Sequence, residues 1–139
     1  IRHVQRSRFH GLSDLMRLDL SKCGIESLES GAFEGLDNLI VLDFKLNVIS
    51  SIKQLDLSNL AMLRELDLSF NRIESIELLT FQTVHLKKLI LDGNPIRLVE
   101  TASFVGVDNL NHLSLLDIKS IRFENITMRG LTYLRNLSI

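Results

Sequence analysis

Apolar side chains recur along this chain in a fixed phase, which the stretch LRELDLSFNRIE shows most clearly. It contains leucine at Leu63, Leu66 and Leu68, then Asn71 and Ile73. The alternation of Leu66 and Leu68 predicts a short strand with both side chains on one face. Asn71 follows where the chain must turn, and its amide can bond to backbone groups that no strand partner reaches.

The same pattern occurs six times. With Leu63 as position one, the units start at Leu15, Leu39, Leu63, Leu86, Leu110 and Leu134. Successive starts are 24 residues apart, except for 23 between Leu63 and Leu86. One such unit cannot bury its own leucines, so neighbouring units must stack on it. The phase predicts an α/β solenoid whose parallel strands are centred on the leucines at position four, which are Leu18, Leu42, Leu66, Leu89, Leu113 and Leu137.

Both ends of the chain fall inside a unit. Val4 and Phe9 fit positions fourteen and nineteen of a preceding repeat, and Ile139 is position six of a last one. We therefore expect residues 1–139 to be a single uncapped array. It would consist of a partial repeat at 1–14, repeats starting at 15, 39, 63, 86 and 110, and a partial repeat at 134–139. Uncovered leucine layers and strand edges recruit other chains, so we expect homo-association through these ends.

The repeat motif resembles that of the leucine-rich repeat. Other features resemble the extracellular "typical" class of these repeats, which includes Toll-like receptors, chaoptin-like adhesion proteins and Slit proteins. These features are Phe33-Glu-Gly-Leu36, the related pairs Phe81/Val84 and Phe104/Val107, and Asn94-Pro95 after a strand. The resemblance covers essentially the whole chain, and it is specific for the class rather than for one member.

The resemblance implies a curved horseshoe with a parallel sheet on its concave side and mostly irregular structure on its convex side. It also implies an extracellular or cell-surface protein with a protein-binding role. Because the sequence contains no G-x-S-x-G, H-E-x-x-H or phosphate-binding glycine motif, we expect no enzymatic activity. We expect a ligand-recognition segment of a receptor ectodomain that binds a protein or microbial ligand by its concave face. The alternative is a cell-adhesion or structural repeat protein that acts by homotypic contact.

Two tripeptides, at Asn125-Ile126-Thr127 and Asn136-Leu137-Ser138, fit the acceptor pattern for N-glycosylation and agree with an extracellular location. Asn125 falls on the convex return of its repeat. Asn136 falls on the exposed side of a strand, where a glycan would shield part of the concave face. With both sites occupied, the usable surface would lie nearer the N-terminal half.

Strand positions that point away from the core are where binding residues should lie. Position five contains aspartate in three adjacent units, at Asp19, Asp43 and Asp67, for which we favour a scaffold role. Apolar side chains beside cations are typical of protein interfaces. The candidate partner-binding residues are Ile40, Val41, Leu46, Arg64, Phe70, Lys87, Lys88 and His112. An alternative for Phe70 is local packing over the rim of the sheet.

The fifth unit departs from the pattern, because Ile118 replaces the asparagine and Ser120 replaces an apolar residue. A register shifted by three residues, with Leu113 and Leu116 as its first leucines, fits nearly as well. We keep the unshifted register because Met128 then stays in phase with the rest of the chain.

Composition excludes little. The chain has 139 residues and a net charge of −1, from which we expect no nucleic-acid partner. No apolar run reaches the roughly 20 residues that would span a bilayer, so a membrane connection would need segments absent from this sequence. The histidines do not pair at metal-ligand spacing with each other or with Cys23, so we expect no metal site, cofactor or catalytic residue. Cys23 occupies the asparagine position of its unit, which favours a structural role over a reactive thiol.

Overall fold

Residues 2–78, 80–81, 84–118 and 130–139 are described by the structure, which is a computed structural model. This part of the chain forms short strands and two 3-10 helices, at Lys53–Leu55 and Leu57–Asn59. The strands are β1 (His3–Val4), β2 (Arg17–Asp19), β3 (Ser27–Leu28), β4 (Val41–Asp43), β5 (Glu65–Asp67), β6 (Ser75–Ile76), β7 (Lys88–Ile90), β8 (Leu98–Val99), β9 (His112–Ser114) and β10 (Asn136–Ser138).

The main sheet has six parallel strands in the order β2, β4, β5, β7, β9 and β10, which is their order along the chain. Its register aligns the leucines of position four, so that Leu66 lies between Leu42 and Leu89. The predicted solenoid with parallel strands is therefore confirmed. Leu137 is 42% exposed because β10, at the edge of the sheet, pairs with β9 alone.

The core is a column of leucines and isoleucines behind this sheet, and Leu42, Leu66 and Leu89 are at most 1% exposed. Phenylalanines at position nineteen continue the core toward the convex side in two stacked pairs. Phe9 lies 6.1 Å from Phe33, and Phe81 lies 6.2 Å from Phe104, between ring centroids. Leu57 replaces phenylalanine in the second repeat, and the stack is interrupted there by the two 3-10 helices.

Buried asparagines join successive turns of the solenoid. The Asn71 amide donates to the carbonyl oxygens of Phe44 and Leu68, each at 3.0 Å, and its oxygen accepts from Ile49 N–H at 3.0 Å. Asn47 and Asn94 make the equivalent bonds one repeat earlier and one repeat later. Each amide thus satisfies backbone groups of two repeats, which explains why the turn needs both a donor and an acceptor.

The convex side contains two small parallel sheets, β1 with β3 and β6 with β8, in addition to the 3-10 helices and turns. This agrees with the mostly irregular convex side that the resemblance implied. Asp56, at the junction of the two 3-10 helices, accepts hydrogen bonds from the Ser30 and Ser58 hydroxyls at 2.7 Å each. These bonds, with the Ser30 bond as the largest cause, hold the pKa of Asp56 below its ordinary value of 3.8.

The fifth repeat keeps the unshifted register at its strand. Leu113 pairs with both Leu89 and Leu137, while Leu116 is 43% exposed. Ile118 packs against the core, where the preceding repeats have an asparagine. Ser120 and Met128, on which the choice of register also depended, lie outside the described residues.

Candidate functional site: the open face and rim of the sheet

The aspartates at position five form part of the scaffold. Asp19, Asp43 and Asp67 each accept the backbone N–H of the residue two positions further on, at 2.8 Å. Such a bond closes the turn that follows the strand. Hydrogen bonds from the side chain and then the backbone of Ser21 hold the pKa of Asp19 below its ordinary value.

Repeats four and five lack this aspartate, since Ile90 and Ser114 replace it. In the fifth repeat the equivalent N–H, from Leu116, is instead bound at 2.9 Å by the carboxylate of Asp92 in the neighbouring repeat. The turn is thus closed by a residue that the repeat pattern does not mark.

Six of the eight candidate residues lie in two adjacent rows at the start of the strands. Strand pairing puts Val41, Glu65, Lys88, His112 and Asn136 in one row. Backbone bonds from Arg64 to Ile40, from Lys87 to Arg64, from Asn111 to Lys87 and from Arg135 to Asn111 define the other. We call these two rows the basic rows.

The basic rows are richest in cations toward the C-terminal half. The cations Arg64, Lys87, Lys88 and Arg135 come from a span of four neighbouring strands, which are spaced about 4.8 Å apart, and His112 lies among them. Ion pairs in the described part of the chain do not include them. The Arg64 guanidinium folds back and donates to the carbonyl oxygens of Ala61 and Leu63, at 3.1 and 2.9 Å.

The other two candidates, Leu46 and Phe70, lie at the opposite end of the strands. Positions three and eight are separated by the rest of the strand and by the turn that follows it. Ile40 and Val41 lie at the beginning of their strand, whereas Leu46 and Phe70 lie in the turns after theirs and have positive φ. The structure divides the candidate residues between the two ends of the strands.

Position eight forms a row of left-handed residues, which we call the rim. Its members Lys22, Leu46, Phe70, Gly93 and Asp117 have φ between 55° and 64°. Residues other than glycine, asparagine and aspartate are uncommon in this left-handed backbone conformation. Leu46 and Phe70 are nevertheless large and apolar, and they are 41% and 43% exposed.

Phe70 makes the local packing that the sequence analysis gave as the alternative to partner binding. Its ring packs on the backbone of Gly93 in the next repeat, where a Cβ would come within 2.5 Å of Cδ1. The Lys45 ammonium lies 5.6 Å from the ring centroid. Local packing thus fixes the orientation of the ring, and 43% of the residue remains open to solvent.

The centre of the concave face contains a shallow depression of about 150 Å³. Its lining is mixed in charge, with Arg17 and Lys88 opposite Asp43, Glu65 and Asp67. The depression is open to solvent, and two of its carboxylates are occupied by turn N–H groups. It offers polar contacts to a ligand without enclosing one.

In the part of the chain that is described, histidine, cysteine, aspartate and glutamate form no group of three or more that could hold a metal ion. Cys23 lies in the asparagine column, and its thiol donates to the carbonyl oxygen of Ser21 at 3.3 Å. A helix long and apolar enough to cross a membrane was not found among the described residues.

Of the two glycosylation tripeptides, Asn136 lies on β10 and is exposed, in the same row as His112. Asn125 lies outside the described residues. A glycan on Asn136 would lie at the C-terminal end of the basic rows.

The stacked parallel strands, the asparagine ladder and the leucine core are those of a leucine-rich-repeat fold, and residues 13–73 match the family model "Leucine rich repeat". A comparison with curated proteins finds no match. Among solved structures, a chain in the crystal structure of a TLR13–ssRNA13 complex is similar over 95% of this chain, with 31% sequence identity and a TM-score of 0.89. The present chain spans 19% of the length of that chain.

This similarity corrects one expectation from the sequence. The net charge of −1 led us to exclude a nucleic-acid partner, yet the similar solved chain is in a complex with RNA. Net charge is a poor guide here because it sums over both sides of the solenoid. In this chain the aspartates of position five are balanced by cations that are gathered in the basic rows.

Sequence reasoning missed several charged members of this surface. Arg135 extends the basic rows, and Lys22, Lys45, Asp92 and Asp117 flank the apolar rim residues. Gly93 was the available signal for the rim, because a glycine in the column of Leu46 and Phe70 indicates a left-handed turn.

Proposed function

We propose that this chain is a ligand-recognition segment of an extracellular leucine-rich-repeat receptor ectodomain, which binds a protein or microbial ligand on the concave face. The observation that carries the proposal is the pair of basic rows. Their side chains point away from the core and take no part in the asparagine ladder or the aspartate turns. A scaffold alone does not require cations there.

The composition of the basic rows favours an anionic ligand. Arg64, Lys87, Lys88 and Arg135 have a single acidic neighbour in the rows, Glu65. Phosphate groups bind arginine and lysine with charge-assisted hydrogen bonds. Among microbial ligands we therefore propose single-stranded RNA as the first candidate, which is the kind of ligand named with the similar solved chain.

Single-stranded RNA fits an open sheet for a further reason. A single strand binds a basic groove along its backbone and does not need an enclosed pocket. The basic rows run across successive strands for about 14 Å, from the Arg64 repeat to the Arg135 repeat. A segment of this length covers only a few nucleotides, so affinity in a whole ectodomain would draw on neighbouring repeats as well.

Binding of a fluorescent single-stranded RNA to the 139-residue chain tests the proposal. The double variant Lys87→Glu with Lys88→Glu should weaken binding by about tenfold or more, and it should flatten the dependence of the binding constant on salt concentration. The double variant Arg8→Glu with Arg97→Glu is the matched control, because both are exposed cations outside the basic rows that form no ion pair in the described residues. Equal losses from both variants would contradict a binding role of the basic rows.

A protein ligand gives a different outcome in the same experiment. If the ligand is a protein, the wild-type chain should bind RNA weakly, and the lysine variants should not change that binding. Binding of an acidic protein ligand should still be weakened by the lysine variants. The adhesion alternative predicts homotypic contact without any soluble ligand. The basic rows do not favour it, because the basic rows of two copies would repel each other.

The proposal places the chain outside the cell or on a luminal surface continuous with the outside, and it includes no catalytic step. N-glycosylation at Asn125 and Asn136 belongs to this proposal. A glycan on Asn136 would restrict the C-terminal end of the basic rows and direct a ligand toward Arg64, Lys87 and Lys88.

A further inference from the structure

The rim has a charge pattern that is complementary to itself. Read across the repeats, position eight is Lys22, Leu46, Phe70, Gly93 and Asp117. Position seven, beside it, is Ser21, Lys45, Ser69, Asp92 and Leu116. Both rows have their cations toward the N-terminal end and their carboxylates toward the C-terminal end, with Phe70 in the middle.

We propose that the rim is an interface between two copies of this chain, related by a two-fold axis that passes beside Phe70. A two-fold axis reverses the order of repeats in the second copy. Lys22 then faces Asp117, and Lys45 faces Asp92, each pair occurring twice. Phe70 faces Phe70.

The charges on the rim form no ion pairs among the described residues, and Lys45 lies near the Phe70 ring, 5.6 Å from its centroid. Lys22, Lys45, Asp92 and Asp117 take part in none of the three ion pairs of the described residues, which are Arg2–Glu26, Arg6–Glu34 and Lys53–Glu77. Asp92 uses one carboxylate oxygen for Leu116 N–H and retains the other. Complementary charges would fix the orientation of the two copies more than they would add affinity.

Apolar contact at the centre supplies the other part of the interface. Leu46 and Phe70 are 41% and 43% exposed, and both are in a left-handed conformation that large side chains rarely adopt. The Phe70 ring is already oriented by Gly93, so little conformational freedom is lost when a second copy packs on it. In the two-fold arrangement, Leu46 of one copy packs beside the Phe70 ring of the other.

This interface differs from end-to-end stacking. Stacking would use the open leucine layers at the two ends of the array and would be indifferent to the rim charges. The rim also lies at the opposite end of the strands from the basic rows, so a ligand on those rows leaves it accessible.

Charge exchange between two variants tests the proposal. Variant A is Lys22→Glu with Lys45→Glu, and variant B is Asp92→Lys with Asp117→Lys. Either variant alone places like charges opposite each other in the two-fold pair. Mixing A with B restores opposite charges at all four contacts. Sedimentation velocity over a range of micromolar concentrations measures the association of wild type, A, B and the mixture.

We expect wild type to form dimers, A and B alone to dimerise about tenfold more weakly or worse, and the equimolar mixture to recover wild-type association. Circular dichroism and chemical denaturation of each variant establish that it is folded, which matters for B because Asp92 also binds Leu116 N–H. The double variant Arg8→Glu with Arg97→Glu is the control for charge change away from the rim, because neither residue forms an ion pair in the described residues. A wild-type monomer at every concentration overturns the proposal. Association that A and B leave unchanged also overturns it and assigns the contact to the ends of the array.

Discussion

The ring of Phe70 lies so close to the backbone of Gly93 that a Cβ on Gly93 would come within 2.5 Å of the ring. This contact joins the third and fourth repeats at the rim and holds an exposed aromatic side chain in one orientation. It depends on two conditions at once, the absence of a side chain at Gly93 and its φ of 64°.

The contact can be separated from backbone strain by two matched substitutions. Gly93→Ala and Gly24→Ala both put a Cβ at φ near 65°, but nothing lies within 4 Å of the Cβ position at Gly24. Each should lose about 1 kcal/mol of unfolding free energy from strain, and Gly93→Ala about 1 kcal/mol more from the displaced ring. Urea denaturation measures both. Equal losses would mean that the ring moves aside without cost, and adding Phe70→Ala to Gly93→Ala should remove the excess.

The asparagine ladder predicts a large effect at Asn71. Asn71→Leu leaves the N–H of Ile49 without its partner. It also removes one of the two amide donors from the carbonyl oxygens of Phe44 and Leu68, which keep their bonds from Asn47 and Asn94. The buried N–H alone costs about 1–3 kcal/mol, so the loss should be clearly larger than that of a surface change. Asn109→Leu is the control, because Asn109 is exposed. Chemical denaturation curves that coincide for the two variants would contradict a ladder role.

Asp56 predicts a dependence of stability on pH. The bonds from Ser30 and Ser58 lower its pKa in the folded chain below the ordinary 3.8. The carboxylate therefore stabilises the fold above pH 3.8, and this contribution is lost as the pH falls through the lower, folded-state pKa. Asp56→Asn should lower the unfolding free energy by about 1 kcal/mol at neutral pH, because the carboxylate is only partly buried and solvent screens part of its interactions.

The difference between wild type and Asp56→Asn should shrink at acidic pH, where both side chains are neutral. Asp37→Asn provides the comparison, since the exposed Asp37 carboxylate accepts no hydrogen bond in the described residues. A difference that is the same at neutral and acidic pH would assign the effect of Asp56→Asn to side-chain geometry rather than to charge.

The exposed Asn136 predicts a glycan when the chain is secreted from eukaryotic cells. Asn136→Gln and Ser138→Ala each destroy the same acceptor tripeptide, so both should remove one glycan and lower the apparent mass by the same step. Thr127→Ala reports on Asn125 independently. An unchanged mass after both Asn136→Gln and Ser138→Ala would show that this tripeptide is not used.

Sequence alone determined the repeat phase and, through it, the parallel strands and their order. The six leucines of position four and the asparagines Asn47, Asn71 and Asn94 were sufficient for this, because each repeat packs only on its neighbours. The scaffold role of Asp19, Asp43 and Asp67 followed in the same way, since each bond runs to a residue two positions on. Local periodicity therefore fixed every feature that depends on contacts within a repeat or between equal positions of adjacent repeats.

The tertiary structure decided how the non-repeating side chains share the surface. Position in the repeat did not reveal that Leu46 and Phe70 lie apart from Ile40 and Val41, because the distance between the two ends of a strand is set by the extended backbone and the turn after it. Sequence did not reveal either that Phe70 rests on Gly93, that Asp92 replaces the missing aspartate for Leu116, or that the charges of the rim reverse across it. These contacts join different positions of neighbouring repeats. A periodic sequence pattern compares only equal positions, so it does not indicate them.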